Sequence, residues 1–230
     1  MKISYAGLDL PEGKIKYHDD IFISLAEKFQ PKKLSPYYFE FIPEDYEAAQ
    51  VITIAGDHLL NLLIVDIEKI ETRLSKAEDA AERAALEKCM AHLETQKPIC
   101  DLPLDAHERT IVNALGLLSF KPTVVRTGAA PDATTLCREA MDKAGMMFFY
   151  TAGKEEVHAW LVKKGSDAVT CAGKIHSDLA RGFIKAEVVS FEDIMTAHNM
   201  QDARTKQLTK LVDGDYVIPG ASIIEIRFNV

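Results

Sequence analysis

Three residues near the start of the chain, Gly7, Gly13 and Lys14, have types and spacing that could do phosphate chemistry. A loop of the form G-x-x-x-x-G-K-[ST] wraps backbone N–H groups round phosphates, reaches them with lysine and places a hydroxyl on Mg²⁺. Here the interval from Gly7 to Gly13 is one residue longer than that pattern, and Ile15 stands where the hydroxyl belongs. Pro11 also takes one backbone donor out of the nest. Two readings stay open. One is an atypical ATP- or GTP-binding loop, or a slow NTPase with Mg²⁺, using Gly7, Gly13 and Lys14. The other, which the loop composition favours, is a turn between two strands.

Other reactive residues are weaker. His176 and Asp178 make an acid–base-looking pair, but no activated Ser or Cys lies at a recognisable elbow. Cys171 and His176 lack two further ligands at zinc spacing. Cys89, Cys100, Cys137 and Cys171 are scattered, which suits reduced thiols better than disulfides or metal. No catalytic or metal residue is therefore expected. Trp160 is read as core rather than as a base-stacking platform. Lys154, Lys163, Lys164, Lys174, Arg181 and Lys185 recur within a short stretch and could line a surface for RNA phosphates or a protein partner. Glu155, Glu156, Asp167, Asp178 and Glu187 are interleaved with them, so the field is mixed.

Composition narrows the classes. A net charge of −8 argues against a basic grip over the whole surface, though not against a local patch. With 47% hydrophobic and 27% charged residues, the chain has the make-up of a soluble globular protein. No secretory signal is read at the N-terminus, and the apolar run 59–70 is interrupted by Asn61, Asp66, Glu68 and Lys69, so no membrane partner is expected. A cytoplasmic location follows as an expectation.

The elements that must position these residues are legible in the spacing. Residues 1–7 read as a buried strand into a turn, 21–29 as a helix with Asp19 and Asp20 at its start, and 37–42 as a strand ended by Pro43. Residues 51–55 read as another strand. From residue 57 a helix places Leu60, Leu63, Ile64, Ile67, Ile70, Glu71 and Leu74 on one face, with Asp66, Glu68 and Lys69 largely off it. A second helix, about 81–95, buries Ala85, Leu86, Cys89, Met90 and Leu93 and completes an antiparallel hairpin. Residues 102–118 form the next helix with Asp105 as cap, 120–126 a strand, and 133–144 a helix ended by Gly145. Strands at 157–163, 183–189 and 223–228, and helices at 191–197 and 201–211, complete the elements read from spacing.

The last third carries a resemblance. Phe149-Tyr150-Thr151-Ala152-Gly153-Lys154-Glu155-Glu156-Val157-His158-Ala159-Trp160, Ala172-Gly173-Lys174-Ile175-His176-Ser177-Asp178, Gly182-Phe183-Ile184-Lys185-Ala186-Glu187-Val188 and Ile226-Arg227-Phe228-Asn229-Val230 follow in order. They resemble the C-terminal TGS domain of the YchF-type, Obg-related P-loop NTPases, which implies a short helix over 168–174 and a structural turn at His176 and Asp178 with capping side chains. Earlier, Leu25-Ala26, Pro31-Lys32-Lys33, Pro36 and Glu40-Phe41 resemble part of that family's G domain. Where the family continues D-x-A-G, this chain has Phe41-Ile42-Pro43-Glu44-Asp45, and Arg126-Thr127-Gly128-Ala129 replace its base-recognition Asn.

The resemblance implies an α/β (α+β overall) fold. It comprises a truncated P-loop-like α/β domain at 1–57 and 98–147, an inserted helical hairpin (an antiparallel coiled coil) at 58–97, and a β-grasp, ubiquitin-like TGS domain at 148–230. With the nucleotide-binding elements changed together, it implies a non-catalytic, pseudo-GTPase-like binding protein without a cofactor. Such a protein would contact RNA, the ribosome or a protein partner, or pair in a homo-oligomer.

Overall fold

The first 55 residues supply five strands, β1 (Lys2–Ala6), β2 (Gly13–Lys16), β3 (Lys33–Ser35), β4 (Tyr38–Pro43) and β5 (Val51–Ala55), and one helix, α1 (Asp20–Phe29). They do not stay together. In this computed structural model, which describes residues 1–128 and 131–229, Met1–Ile15 joins Phe39–Ala144 as one unit, while Lys16–Tyr38 joins the chain from Gly145 onward as another.

In the first unit the sheet order is β2-β4-β1-β5-β6, with β6 at Thr123–Arg126. β1 runs parallel to β4 and β5, and β5 parallel to β6. A parallel sheet covered on both faces needs strands apolar on both sides, and Val51, Ile52, Thr53 and Ile54 of β5 are all buried. One face carries Ile52 and Ile54 against α2 (Leu59–Leu74) and α3 (Ala80–Glu94). On the other, α5 (Ala133–Lys143) packs on β5 and β6.

The α2 stripe differs from the sequence expectation. Leu59, Leu62, Leu63, Asp66 and Ile70 are buried, whereas Leu60 and Ile64 are 50% and 43% exposed. The helix is rotated so that Asp66 points inward, because its carboxylate accepts the backbone N–H groups of Leu118 and Ser119, each at 2.7 Å. Those groups open a single 3-10 turn, Leu118–Phe120. The helix expected over 102–118 is correspondingly shorter, α4 (Ala106–Ala114), and a capping box between Asp105 and Glu108 fixes its start. Lys121 then donates to the carbonyls of Tyr46, Glu47 and Ala49 at 2.7, 2.7 and 2.9 Å, tying the loop before β5 to the start of β6.

The second unit contains β7 (Met146–Ala152), β8 (Glu156–Lys163), α6 (Ala168–Ile175), α7 (Ser177–Arg181), β9 (Phe183–Val189), α8 (Phe191–Thr196), α9 (Met200–Thr205), β10 (Lys210–Val212) and β11 (Ile223–Phe228). Its mixed sheet has the order β10-β9-β11-β7-β8-β3. β7 and β8 form an antiparallel hairpin, β11 is parallel to β7 and antiparallel to β9, and β3 adds in parallel to the edge of β8. Phe149 and Val162 pack with Ala168 and Cys171 of α6. Alternation turns Phe148 and Tyr150 to the opposite face, where α1 lies against β7 and β8.

Two corrections arise in this unit. The helix expected over 201–211 ends at Thr205, and Lys210–Val212 is a strand paired with β9. The left-handed conformation of Gln207, φ 58°, turns the chain there. Residues 30–36 carry no element in the sequence reading, but β3 there hydrogen-bonds β8. Its pairing partner lies more than a hundred residues away, beyond the reach of local periodicity.

Candidate functional site

The carboxyl ends of the parallel strands are where an open α/β sheet usually offers a crevice, and Gly7 lies there, directly after β1. It adopts φ +67°, and a Cβ on it would sit 2.4 Å from His58 Cδ2 and 2.8 Å from Ala55 Cβ. Glycine is thus demanded twice, by backbone conformation and by the His58 ring packed over it. His58 precedes α2 and makes no side-chain cap to the helix.

Gly13 and Lys14 are elsewhere. Both belong to β2, the outermost strand, with β4 lying between it and β1. Adjacent strands are about 4.8 Å apart, so two steps across the sheet are roughly 10 Å. Lys14 is exposed. Gly7 therefore stands in a turn and the Gly13-Lys14 pair in an edge strand, and the three do not form one nest of converging N–H groups.

At the end of β6, Arg126 forms an ion pair with Glu139 of α5, Nη1 to Oε1 at 2.8 Å. Its Nε is buried without a protein partner. The adjoining Thr127 and Gly128 end the described stretch, and Ala129 lies outside the described residues, as does Val230 at the other end of the chain.

In the second unit the six cationic residues are dispersed. Lys154 sits in the turn at one end of the β7–β8 hairpin, and Lys163 and Lys164 lie at the other end. Eight residues of β8 at about 3.3 Å each put roughly 26 Å between those ends. Lys174 is in the last turn of α6. Arg181 pairs with Asp178 at 2.9 Å, and Lys185 pairs with Asp213. Arg181 and Lys185 are thus answered locally.

The polar groups that the fold does bring together are different ones. Glu187, buried in the middle of β9, accepts from Arg204 Nε at 2.7 Å, Thr209 Oγ1 at 2.8 Å and Arg227 Nη2 at 3.0 Å. The Arg204 guanidinium, with the other two donors, overcomes burial and lowers the Glu187 carboxyl to about 2. Asp19 caps α1 through Ile21 N–H and Phe22 N–H and accepts the Tyr150 hydroxyl at 2.7 Å. Burial nevertheless leaves its carboxyl above the ordinary range. On the α6 face, Glu156 accepts from Ser35 at 2.6 Å and pairs with Lys33 at 2.9 Å. His158 stacks on Trp160 with ring centroids 3.6 Å apart.

These clusters are structural in form, with every carboxylate already satisfied by donors. The period-2 reading of β9 gave Glu187 no special status, and its arginine partners lie 17 and 40 residues on, where local spacing gives no signal. His176 accepts the N–H of Asp178 at 3.2 Å, the capping role expected for it. Burial pushes the Cys89 thiol up to about 11 and those of Cys137 and Cys171 up to about 12, which removes them as thiolate nucleophiles near neutrality. Among the described residues no group of three His, Cys, Asp or Glu side chains could hold a metal ion. Also among them, no helix is long and apolar enough to cross a membrane.

Comparison with known proteins finds similarity to YchF-type proteins. Residues 146–229 match the family model YchF-GTPase_C, described as a protein of unknown function (DUF933). The Bacillus subtilis protein named ribosome-binding ATPase YchF is 41% identical over 95 residues, 41% of this chain and 26% of that protein. The protein of the same name from Escherichia coli O157:H7 is 28% identical over 204 residues, 65% of this chain and 56% of its own. Obg-like ATPase 1 of Danio rerio is 34% identical over 96 residues, 42% of this chain and 24% of its own. The chain thus spans from about a quarter to about half the length of these curated relatives. In fold, it is similar to the Schizosaccharomyces pombe YchF GTPase structure, with a TM-score of 0.79 at 18% identity, covering 96% of this chain and 89% of that one.

Proposed function

We propose that this chain is a non-catalytic, YchF-like binding protein that contacts the ribosome. In this reading the first unit keeps the frame of a G domain with its inserted helical hairpin, while nucleotide hydrolysis is lost. The second unit is a TGS-like β-grasp. That assignment is supported by its strand order, β8-β7-β11-β9-β10, in which the last strand inserts beside the first. Ribosome contact is supported by the names of the relatives, which it extends to this chain as a proposal. RNA phosphates would be met by the dispersed lysines rather than by one basic patch.

The observation that carries the reading is the placement of Gly13 and Lys14 in edge strand β2, with His58 over Gly7. Phosphoryl transfer depends on holding phosphate and Mg²⁺ in position, and these three residues do not converge to do so. Melting of the purified protein with millimolar Mg·ATP and Mg·GTP, alongside co-sedimentation with ribosomes, tests it. The expected result is co-sedimentation with no nucleotide-dependent change in Tm. A ligand at a hundred times its Kd stabilises by about 2.7 kcal/mol. A shift of that size would instead favour an ATP or GTP binder working through Gly7, Gly13 and Lys14.

A further inference from the structure

The pairing of β7 with β11 stops early. Both strands continue, β7 to Ala152 and β11 to Phe228, yet among the described residues their register contains only Tyr150 and Ile223. Beyond that pair the strands part, and a cleft of about 460 Å³ opens between them. Ile175 and Leu179 line it from α6 and α7, Ile226 and Phe228 from β11. Its volume is in the range of ligand pockets.

The direction of the backbone groups along the cleft can be worked out. Tyr150 N–H donates to Ser222 O at 2.9 Å, so the peptide groups of Tyr150 face β11. Period two then aims the Ala152 N–H the same way. Gly153 N–H, one residue on, donates to Glu156 O across the hairpin, which confirms the alternation. On the other wall, parallel pairing of Tyr150 with Ile223 turns the peptide groups of Ile224 toward β7. The same alternation turns those of Ile226 into the cleft. Among the described residues no register pair joins these groups across the cleft, so two strand walls turn backbone donors and acceptors toward each other above an apolar floor.

We infer that this cleft binds an extended peptide segment of a protein partner, which adds as a strand along the inner edge of β11 and sets apolar side chains at alternate positions on the floor. Only an extended backbone supplies donors and acceptors at the strand repeat that the walls demand. Nucleic acid, with its charged backbone, has no cationic row here to meet: Lys154 is the one cation among the lining side chains, beside Glu155, Glu156 and Glu225. The inference is independent of ribosome binding.

The test uses the full chain. A random heptapeptide phage library is selected on it, and the enriched sequences are synthesised with a fluorescent label for anisotropy. The expected peptides alternate apolar residues. They lose at least tenfold in affinity with Ala152→Pro, which removes the cleft-facing N–H, and with Phe228→Glu, and lose binding when alternate peptide nitrogens are methylated. Hydrogen exchange on the unmutated protein needs no variant: the Ala152 and Ile226 amides should exchange fast alone and slowly with bound peptide. Amides already protected in the free protein would overturn the inference. So would a selection that enriches no peptide, or peptides whose binding leaves both amides unchanged.

Discussion

Asp66 in the first unit and Glu187 in the second are both buried carboxylates that helix or strand period would have placed in water, but they are satisfied in opposite ways. Asp66 faces two neutral backbone N–H groups. Glu187 faces two guanidinium groups and a hydroxyl. The first is a local replacement for missing backbone partners and closes a tight turn onto α2. The second gathers α9, β10 and β11 round the centre of β9. A carboxylate held by backbone amides cannot lose its partners to water without moving the chain, whereas arginines can swing outward. The side chains of Arg204 and Arg227 are 36% and 46% exposed.

That difference predicts an order of costs. Asp66→Ala leaves two buried N–H groups unpaired, each worth about 1–3 kcal/mol, so it should lower unfolding free energy by about 3–4 kcal/mol in urea titration. Asp66→Asn keeps one acceptor and should recover part of this. An alanine variant within 1 kcal/mol of the parent would mean that water replaces the carboxylate and would erase the distinction.

Glu187→Ala should cost less, about 2–3 kcal/mol, because the released guanidinium groups regain solvent. It should also change the pH profile. The Glu187 carboxyl is lowered in the folded protein, so its stabilisation is complete above its unfolded value near 4.3 and is lost as pH falls through about 2. Urea midpoints between pH 5 and 2 should fall more steeply for the parent than for Glu187→Ala. Parallel slopes would show that the arginines contribute no charge-specific stabilisation.

Asp19 supplies the smallest effect and the opposite sign. Its carboxyl is raised by burial, so the native state binds the proton more tightly, and stability from this group rises as pH falls toward the unfolded value near 3.9. Tyr150→Phe removes the hydroxyl donor and should cost about 1 kcal/mol at neutral pH. Asp19→Asn should remove the acid-side gain. A Tyr150→Phe variant with unchanged stability would place the cap, not the phenol, as the group holding α1.

Much of the fold was legible where neighbours in sequence decide it. Asp19, Asp105 and the period of α3 were visible because caps and stripes are local. The rotation of α2 was not, since the acceptor at Asp66 answers N–H groups 52 and 53 residues away. β2 and β3 are short edge strands, four and three residues long, whose pairing comes from tertiary partners. At the candidate site, the long interval from Gly7 to Gly13 and Lys14 could be read directly. The His58 ring over Gly7 could not, because nothing in the spacing brings residue 58 to residue 7.

The excursion of Lys16–Tyr38 into the second unit has a consequence for synthesis. α1 is made before its anchor, because Tyr150 follows Asp19 by 131 residues. At about 5–20 residues per second, α1 waits roughly 7–26 seconds with Phe22, Leu25 and Phe29 uncovered. Nascent chains of this protein carry, for that interval, an apolar helix whose sheet has not yet been translated, and a holdase on the ribosome would meet α1 before β7 does.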